Sequence, residues 1–126
     1  TGTPDEMRYD AVPGVVYTNP EVAGVGLTEE QAKQQGVRHE VARLPMAFSG
    51  RFVAENEGAN GLCKVIYDPE KLTVLGVHML GNPCSEMIFG AAMAITQGMT
   101  IAELKRVIFP HPTVSEILKE TLFTIK

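Results

Sequence analysis

The stretch "GLCKVIYDPEKLTVLGVHMLG" constrains the fold of this chain more than any other. Two apolar runs flank Asp68-Pro69-Glu70-Lys71, where Pro69 presets φ and Asp68 can bond the backbone ahead of it. The two runs are therefore expected to fold back on each other as a hairpin. The second arm, Leu72 to Leu80, is apolar on both faces, which predicts a strand covered on both sides, with another domain or subunit a candidate for one cover.

The rest of the chain supplies partners for that strand. Upstream, "GVVYTNP" and "EVAGVGL" are short β-branched runs separated by an Asn-Pro break. "TEEQAKQQG" predicts a short helix, with Thr28 as its cap, Gln31 closing a capping box and Gly36 as its stop. "VRHEVARLPM" predicts another strand, ending at Pro45. Downstream the pattern turns helical. "SEMIFGAAMAITQG" places Met87, Ile88, Ala91, Ala92 and Ile95 on one face, while Phe89 and Met93 make the other face apolar too. Such a helix is expected to be buried all round or to pack against a partner, and Gly98 ends it. "TIAELKRVIF" predicts a second helix with Ile101, Leu104, Val107 and Ile108 inward, ended by Pro110. From Thr113 onward, Val114, Ile117, Leu118 and Leu122 form the apolar stripe of a third. Strands first and helices later predict an α+β domain, an antiparallel β-sheet packed with C-terminal helices as a two-layer sandwich.

A chain of 126 residues is long enough to bury ~65 % of its unfolded surface in one core. Its net charge of −4 offers no basic stripe, which argues against nucleic acid as a partner. No apolar run approaches the ~20 residues needed to cross a bilayer, and no signal-peptide pattern opens the sequence, so no membrane partner is expected. Cys63 and Cys84 read as reduced, buried thiols. The opening "TGTPDEMRYDAVPG" lacks an initiating methionine and reads as a linker over residues 1–11, joined to a longer polypeptide, with the domain at 12–126.

The chemistry concentrates in "FPHPTVSEILKETLF". Its plain reading is a helix start: Thr113 caps and Glu116 reaches back to the Thr113 amide. The chain holds a second such box at Thr100–Glu103 and a near relative at Thr28–Gln31, so the pattern alone says nothing about catalysis. Its sharper reading is a pair. His-Pro fixes the backbone just before a helix, and a carboxylate one turn inside can accept from one imidazole nitrogen, fix the tautomer and leave the other nitrogen facing a cleft. On the residues alone both readings stand. No G-x-G-x-x-G, phosphate loop or closely spaced cysteine pair is present for such a histidine to serve. The three histidines and two cysteines, at positions 39, 63, 78, 84 and 111, lack the spacing of a metal site, and none is expected.

Three segments, "VPGVVYTNPEVAGVGLTEEQAKQQG", "LGVHMLGNPCSEMI" and "FPHPTVSEILKETL", follow one another as they do in a known family. Together, over Tyr9 to Phe123, the chain resembles the C-terminal interface (dimerisation) domain of the pyridine nucleotide–disulfide oxidoreductases, most of all their dihydrolipoamide dehydrogenase branch. The resemblance implies that FAD- and NAD-binding domains and a redox-active cysteine pair lie upstream. Cys63 and Cys84 do not match that pair and read as structural, with Cys84, beside the Asn82-Pro83 turn, the better candidate for reactivity. His111 matches the family's catalytic histidine and Glu116 its carboxylate partner. The family works as a homodimer in which this domain serves the histidine to the other subunit. There the base takes a proton from dihydrolipoamide, and the thiolate attacks the upstream disulfide, because thiolates rather than thiols exchange. Electrons then pass through FAD to NAD⁺. The resemblance also implies a cis His111–Pro112 bond, with the backbone of His111 and Pro112 near the partner subunit's FAD. It further implies docking of the acyltransferase's small subunit-binding domain in a 2-oxo acid dehydrogenase complex, and a cytoplasmic location, or the mitochondrial matrix in a eukaryote. The chain alone is expected to hold no cofactor tightly and to be inactive. Two alternatives remain: the same domain of a sister enzyme of the glutathione or mercuric reductase type, and a purely structural self-association module. "YTNPEVAGVGLTE" and "SGRFVAENE" favour the dihydrolipoamide branch, and the ending "TLFTIK" lacks the cysteine pair of mercuric reductases.

Overall fold

The Asp68 turn closes as its side chain requires. Asp68 Oδ1 accepts from the N–H groups of Glu70 and Lys71 at 2.8 and 3.0 Å, joining β4 (Leu62–Tyr67) to β5 (Val74–Leu80). In the computed structural model, which describes residues 2–126, three more strands extend this hairpin: β1 (Gly14–Val16), β2 (Val22–Gly26) and β3 (Glu40–Pro45). All pair antiparallel in the order β1-β2-β5-β4-β3, so the doubly apolar arm is the middle strand.

Alternation along each strand sorts its residues between two covers. One face carries Ala23, Met79 and Cys63 in one row and Val25, Val77, Val65 and Ala42 in the next, all buried. Two helices lie on it: α3 (Cys84–Thr96) over β2 and β5, and α5 (Glu116–Phe123) over β3 and β4. A short helix, α4 (Ile101–Lys105), packs beside α5. Met46, Phe52, Ile117 and Leu122 fill the space between the layers almost without exposure, each contributing ~1.5–3 kcal/mol by leaving water.

The opposite face is covered by the Leu27 segment and α1 (Glu29–Gln34). Glu29 Oε1 accepts from Arg43 at 2.7 Å and Lys64 at 3.0 Å, both on that face. Two glycines allow this cover to come close. A Cβ on Gly76 would stand 2.0 Å from the Leu27 carbonyl oxygen, and one on Gly24 would stand 2.4 Å from Nδ1 of His78. His78 Nε2 lies 2.9 Å from the same Leu27 carbonyl. Both faces of β5 are therefore covered within the chain, except near its end. There Val22, Leu80 and Leu62 form a half-exposed apolar row.

Most local expectations hold. Thr28 and Thr100 each form a complete capping box, and Gly36 and Gly98 follow their helices at φ +67° and +61°, the left-handed region that favours glycine after a helix. On α3 the predicted face of Met87, Ile88, Ala91, Ala92 and Ile95 is buried, while Phe89 and Met93 are exposed. Two readings need correction. The helix "TIAELKRVIF" stops at Lys105, because the N–H groups of Arg106 and Val107 turn to the carbonyls of Glu103 and Leu104, three residues back. Val107 is consequently half-exposed and Ile108 is 92 % exposed, so neither points inward. Between Pro45 and Leu62, where the sequence suggested no element, a 3-10 turn (Met46–Phe48) leads into α2 (Gly50–Glu55). Near the N-terminus, Tyr9–Ala11 forms a 3-10 turn with Ala11 buried, and Arg8 donates to the Thr96 carbonyl at 3.0 Å.

Candidate active site

The segment between α4 and α5 carries the residues singled out by sequence. Its His111–Pro112 bond is cis, as the family resemblance implied. Thr113 does not cap α5 with its hydroxyl. Its Oγ1 donates instead to the Pro110 carbonyl at 2.7 Å, and α5 starts without a side-chain cap. The carboxylate half of the box does form, with the Thr113 N–H donating to Glu116 Oε2 at 3.0 Å.

The same carboxylate holds the histidine. His111 Nδ1 lies 3.0 Å from Oε1 and 3.1 Å from Oε2 of Glu116. The Thr113 N–H, then His111, and more weakly Lys119 at 3.4 Å stabilise the ionised form, pulling the Glu116 pKa down to about 2. An ionised carboxylate can only accept, so in the neutral imidazole Nδ1 carries the proton and Nε2 the lone pair. Glu116 is 13 % exposed and His111 82 %, which puts that lone pair in the open. One side chain thus takes part in both arrangements left open by the sequence: Glu116 accepts from the Thr113 N–H at the helix start and from His111. Chemically, the pair is a histidine of fixed tautomer able to take a proton from an incoming acid.

A third residue touches this segment, one the sequence reading missed. Ser49, 2 % exposed, caps α2 by accepting from the Phe52 N–H at 3.2 Å and donates its hydroxyl proton to the Thr113 carbonyl at 3.1 Å. Serine three residues before an apolar side chain is a recognisable cap signal, but nothing local links it to Thr113. Beside the segment lies a shallow cavity of about 310 Å³ lined by Arg51, Glu86, Pro112 and Ser115, among others. That is the lower end of the ~300–1,000 Å³ of small-molecule sites.

The cysteines stand apart from the site. Burial pushes the Cys63 thiol up to about 11, against a hydrogen bond with Thr121, and burial followed by the charge of Glu21 raises that of Cys84. Both are free and buried, so neither offers a thiolate near neutral pH. Among the described residues, no three His, Cys, Asp or Glu side chains cluster as metal ligands, and no helix is long and apolar enough to cross a membrane.

Residues 12–122 match the family described as the pyridine nucleotide-disulphide oxidoreductase dimerisation domain. Mitochondrial dihydrolipoyl dehydrogenase of Pisum sativum is 44 % identical over 119 residues, 94 % of this chain and 24 % of the relative. Dihydrolipoyl dehydrogenase of Thermus scotoductus is 47 % identical over 109 residues, 86 % of this chain and 23 % of the relative. Among solved structures, an HOCl-induced flavoprotein disulfide reductase from Escherichia coli superposes with a TM-score of 0.84 at 33 % identity, covering 91 % of this chain and 26 % of that one. The chain thus spans about a quarter of the length of the relatives it matches.

Proposed function

The chain belongs to the dimerisation-domain family of the pyridine nucleotide–disulphide oxidoreductases, and from that premise we propose that it is this domain of a dihydrolipoamide dehydrogenase, with His111 and Glu116 its general base. The observation that carries the reading is the His111–Glu116 pair, Nδ1–H held at 3.0 Å by an ionised carboxylate with Nε2 exposed. In the homodimer, His111 Nε2 takes the proton from a thiol of dihydrolipoamide in the other subunit's active site. The thiolate so formed attacks one sulfur of the upstream cysteine disulfide, whose other sulfur leaves as a thiolate. Glu116 meanwhile keeps its charge and stabilises the imidazolium, and Pro110 to Thr113 set the ring's position. Bound by the upstream domains, FAD supplies the two-electron chemistry that links the thiols to NAD⁺. The backbone of His111 and Pro112 would lie near that flavin in the partner subunit. Self-association uses the exposed apolar side of α3, and the two-fold face also receives the subunit-binding domain of an acyltransferase. The 44 % and 47 % identity to dihydrolipoyl dehydrogenases supports this branch over the sister reductases.

The test uses the full-length enzyme. NAD⁺-dependent oxidation of dihydrolipoamide and NADPH-dependent reduction of glutathione disulfide are assayed side by side, for wild type and His111→Ala. Losing a general base costs ~10²–10⁴ in rate, so dihydrolipoamide turnover should fall at least a hundredfold in the variant. Activity with glutathione disulfide alone would move the protein to a sister enzyme. Undiminished dihydrolipoamide turnover in His111→Ala would remove the catalytic role.

A further inference from the structure

We infer that Ser49 is a positioning residue for the His111 base, a role that rests on the function proposed above. Its hydroxyl has one proton, and that proton goes to the Thr113 carbonyl at 3.1 Å. A lone pair of the same oxygen accepts from the Phe52 N–H at 3.2 Å. Ser49 is 2 % exposed, so its hydroxyl does not reach bulk water, and leaving a buried partner unmet is costly. Thr113 is therefore gripped at both ends of its backbone: its carbonyl by Ser49, its N–H by Glu116 Oε2 at 3.0 Å. Its side-chain hydroxyl ties back to Pro110 at 2.7 Å. The residue beside the His111–Pro112 pair thus has its carbonyl, its N–H and its side-chain oxygen all engaged.

This matters because His111 itself is held by Glu116 alone among the described residues and stands 82 % exposed. The imidazole's position in the other subunit's site depends on where the Pro110–Thr113 backbone sits. Glu116 fixes that backbone relative to α5; Ser49 fixes it relative to α2, which belongs to a different part of the fold. Without the Ser49 bond, the segment loses its tie to α2 and is held only by Glu116 and the packing of Phe109 and Val114 on either side, and the reach of Nε2 toward a substrate thiol loosens. Small misplacements of a reacting group cost up to ~10²-fold in rate.

The experiment compares wild type, Ser49→Ala, Ser49→Thr and His111→Gln in the full-length enzyme, well below the melting temperature of each. Two rates are read: NAD⁺-dependent oxidation of dihydrolipoamide, which needs the base, and NADH oxidation by ferricyanide, which moves no thiol proton. Ser49→Ala should lose about tenfold to a hundredfold in dihydrolipoamide kcat/KM, short of the loss in His111→Gln, while its ferricyanide rate stays at the wild-type level. Ser49→Thr keeps the hydroxyl and should recover most of the loss. Equal falls in both rates would make Ser49 merely a part of the framework and overturn the inference. So would a wild-type dihydrolipoamide rate in Ser49→Ala beside a crippled His111→Gln, which would leave the base assignment standing. An active His111→Gln would take down both the base and the residue said to position it.

Discussion

His111 Nδ1 meets both oxygens of Glu116 at once, at 3.0 and 3.1 Å, from five residues upstream in the chain. A glutamine in place of Glu116 keeps the shape and removes the charge. Its amide oxygen could accept from Nδ1–H or from the Thr113 N–H, and its NH₂ group could donate to neither. Glu116→Gln should therefore retain the fold but lower dihydrolipoamide turnover by roughly 10- to 100-fold, as loss of a group that orients a histidine does. Steady-state rates at pH 8 in the full-length enzyme check this. A wild-type rate would mean that the carboxylate serves only the helix start.

The same carboxylate makes a pH-dependent contribution to stability. Its pKa falls from an ordinary 4.5 to about 2, first through the Thr113 N–H and then through His111. A group depressed in the folded state stabilises fully above its unfolded value and loses that effect as the pH drops through the folded one. The contribution is thus whole above pH 4.5 and fades toward pH 2. An NMR titration of the Thr113 amide should place its midpoint near the lower value. A midpoint near 4.5 would show the hydrogen bonds to be absent in solution.

Gly76 sets how near the second cover of the sheet can lie. Any Cβ there would meet the Leu27 carbonyl oxygen at 2.0 Å and the Leu27 backbone nitrogen at 3.0 Å. Backbone cannot swing aside as a flexible side chain can. Gly76→Ala should therefore destabilise by at least ~1–3 kcal/mol, the usual range for overpacking. Urea denaturation of the domain, compared with the open-space control Gly36→Asn at a left-handed position, gives the measurement. An unchanged midpoint for Gly76→Ala would mean that the Leu27 segment moves freely.

Phe89 and Met93 expose 68 % and 52 % of themselves on one side of α3, and the family to which the chain belongs is a dimerisation domain. Replacing both by glutamate puts like charges on the face proposed to self-associate. Sedimentation velocity of the full-length enzyme should show a shift from dimer to monomer. Retained dimers at micromolar concentration would exclude this side of α3 from the interface.

What the sequence revealed follows from how far each interaction reaches along it. The Asp68 turn was legible because Asp68 bonds residues two and three positions on. The buried face of α3 was legible because side chains repeat every 3.6 residues. The same periodicity misled at Val107 and Ile108, whose spacing continues the stripe after the backbone has already left the helix. Glu116 was found because its partners lie three and five residues away. Ser49 was not, since its decisive partner is 64 residues off and only the assembled sheet brings them together. Helix α2 shares that fate: six residues long, with Phe52 as its one buried side chain, it has too little pattern of its own to announce itself.

That separation also sets an order of events. The His111–Glu116 contact spans five residues and can form as soon as the first turn of α5 does. The Ser49–Thr113 bond must wait, because its ends stand 64 positions apart with the β4–β5 hairpin and α3 between them, and closing long loops comes late in folding. A folding intermediate with α5 formed but not yet docked would already possess a histidine paired to its carboxylate, yet hold it on a backbone free to wander. Amide hydrogen exchange should report this as two levels of protection, lower at the Thr113 N–H, which local fraying exposes, and higher at the Phe52 N–H, whose residue is 1 % exposed in the assembled core. Equal protection at the two would mean that the segment closes in one step with the core.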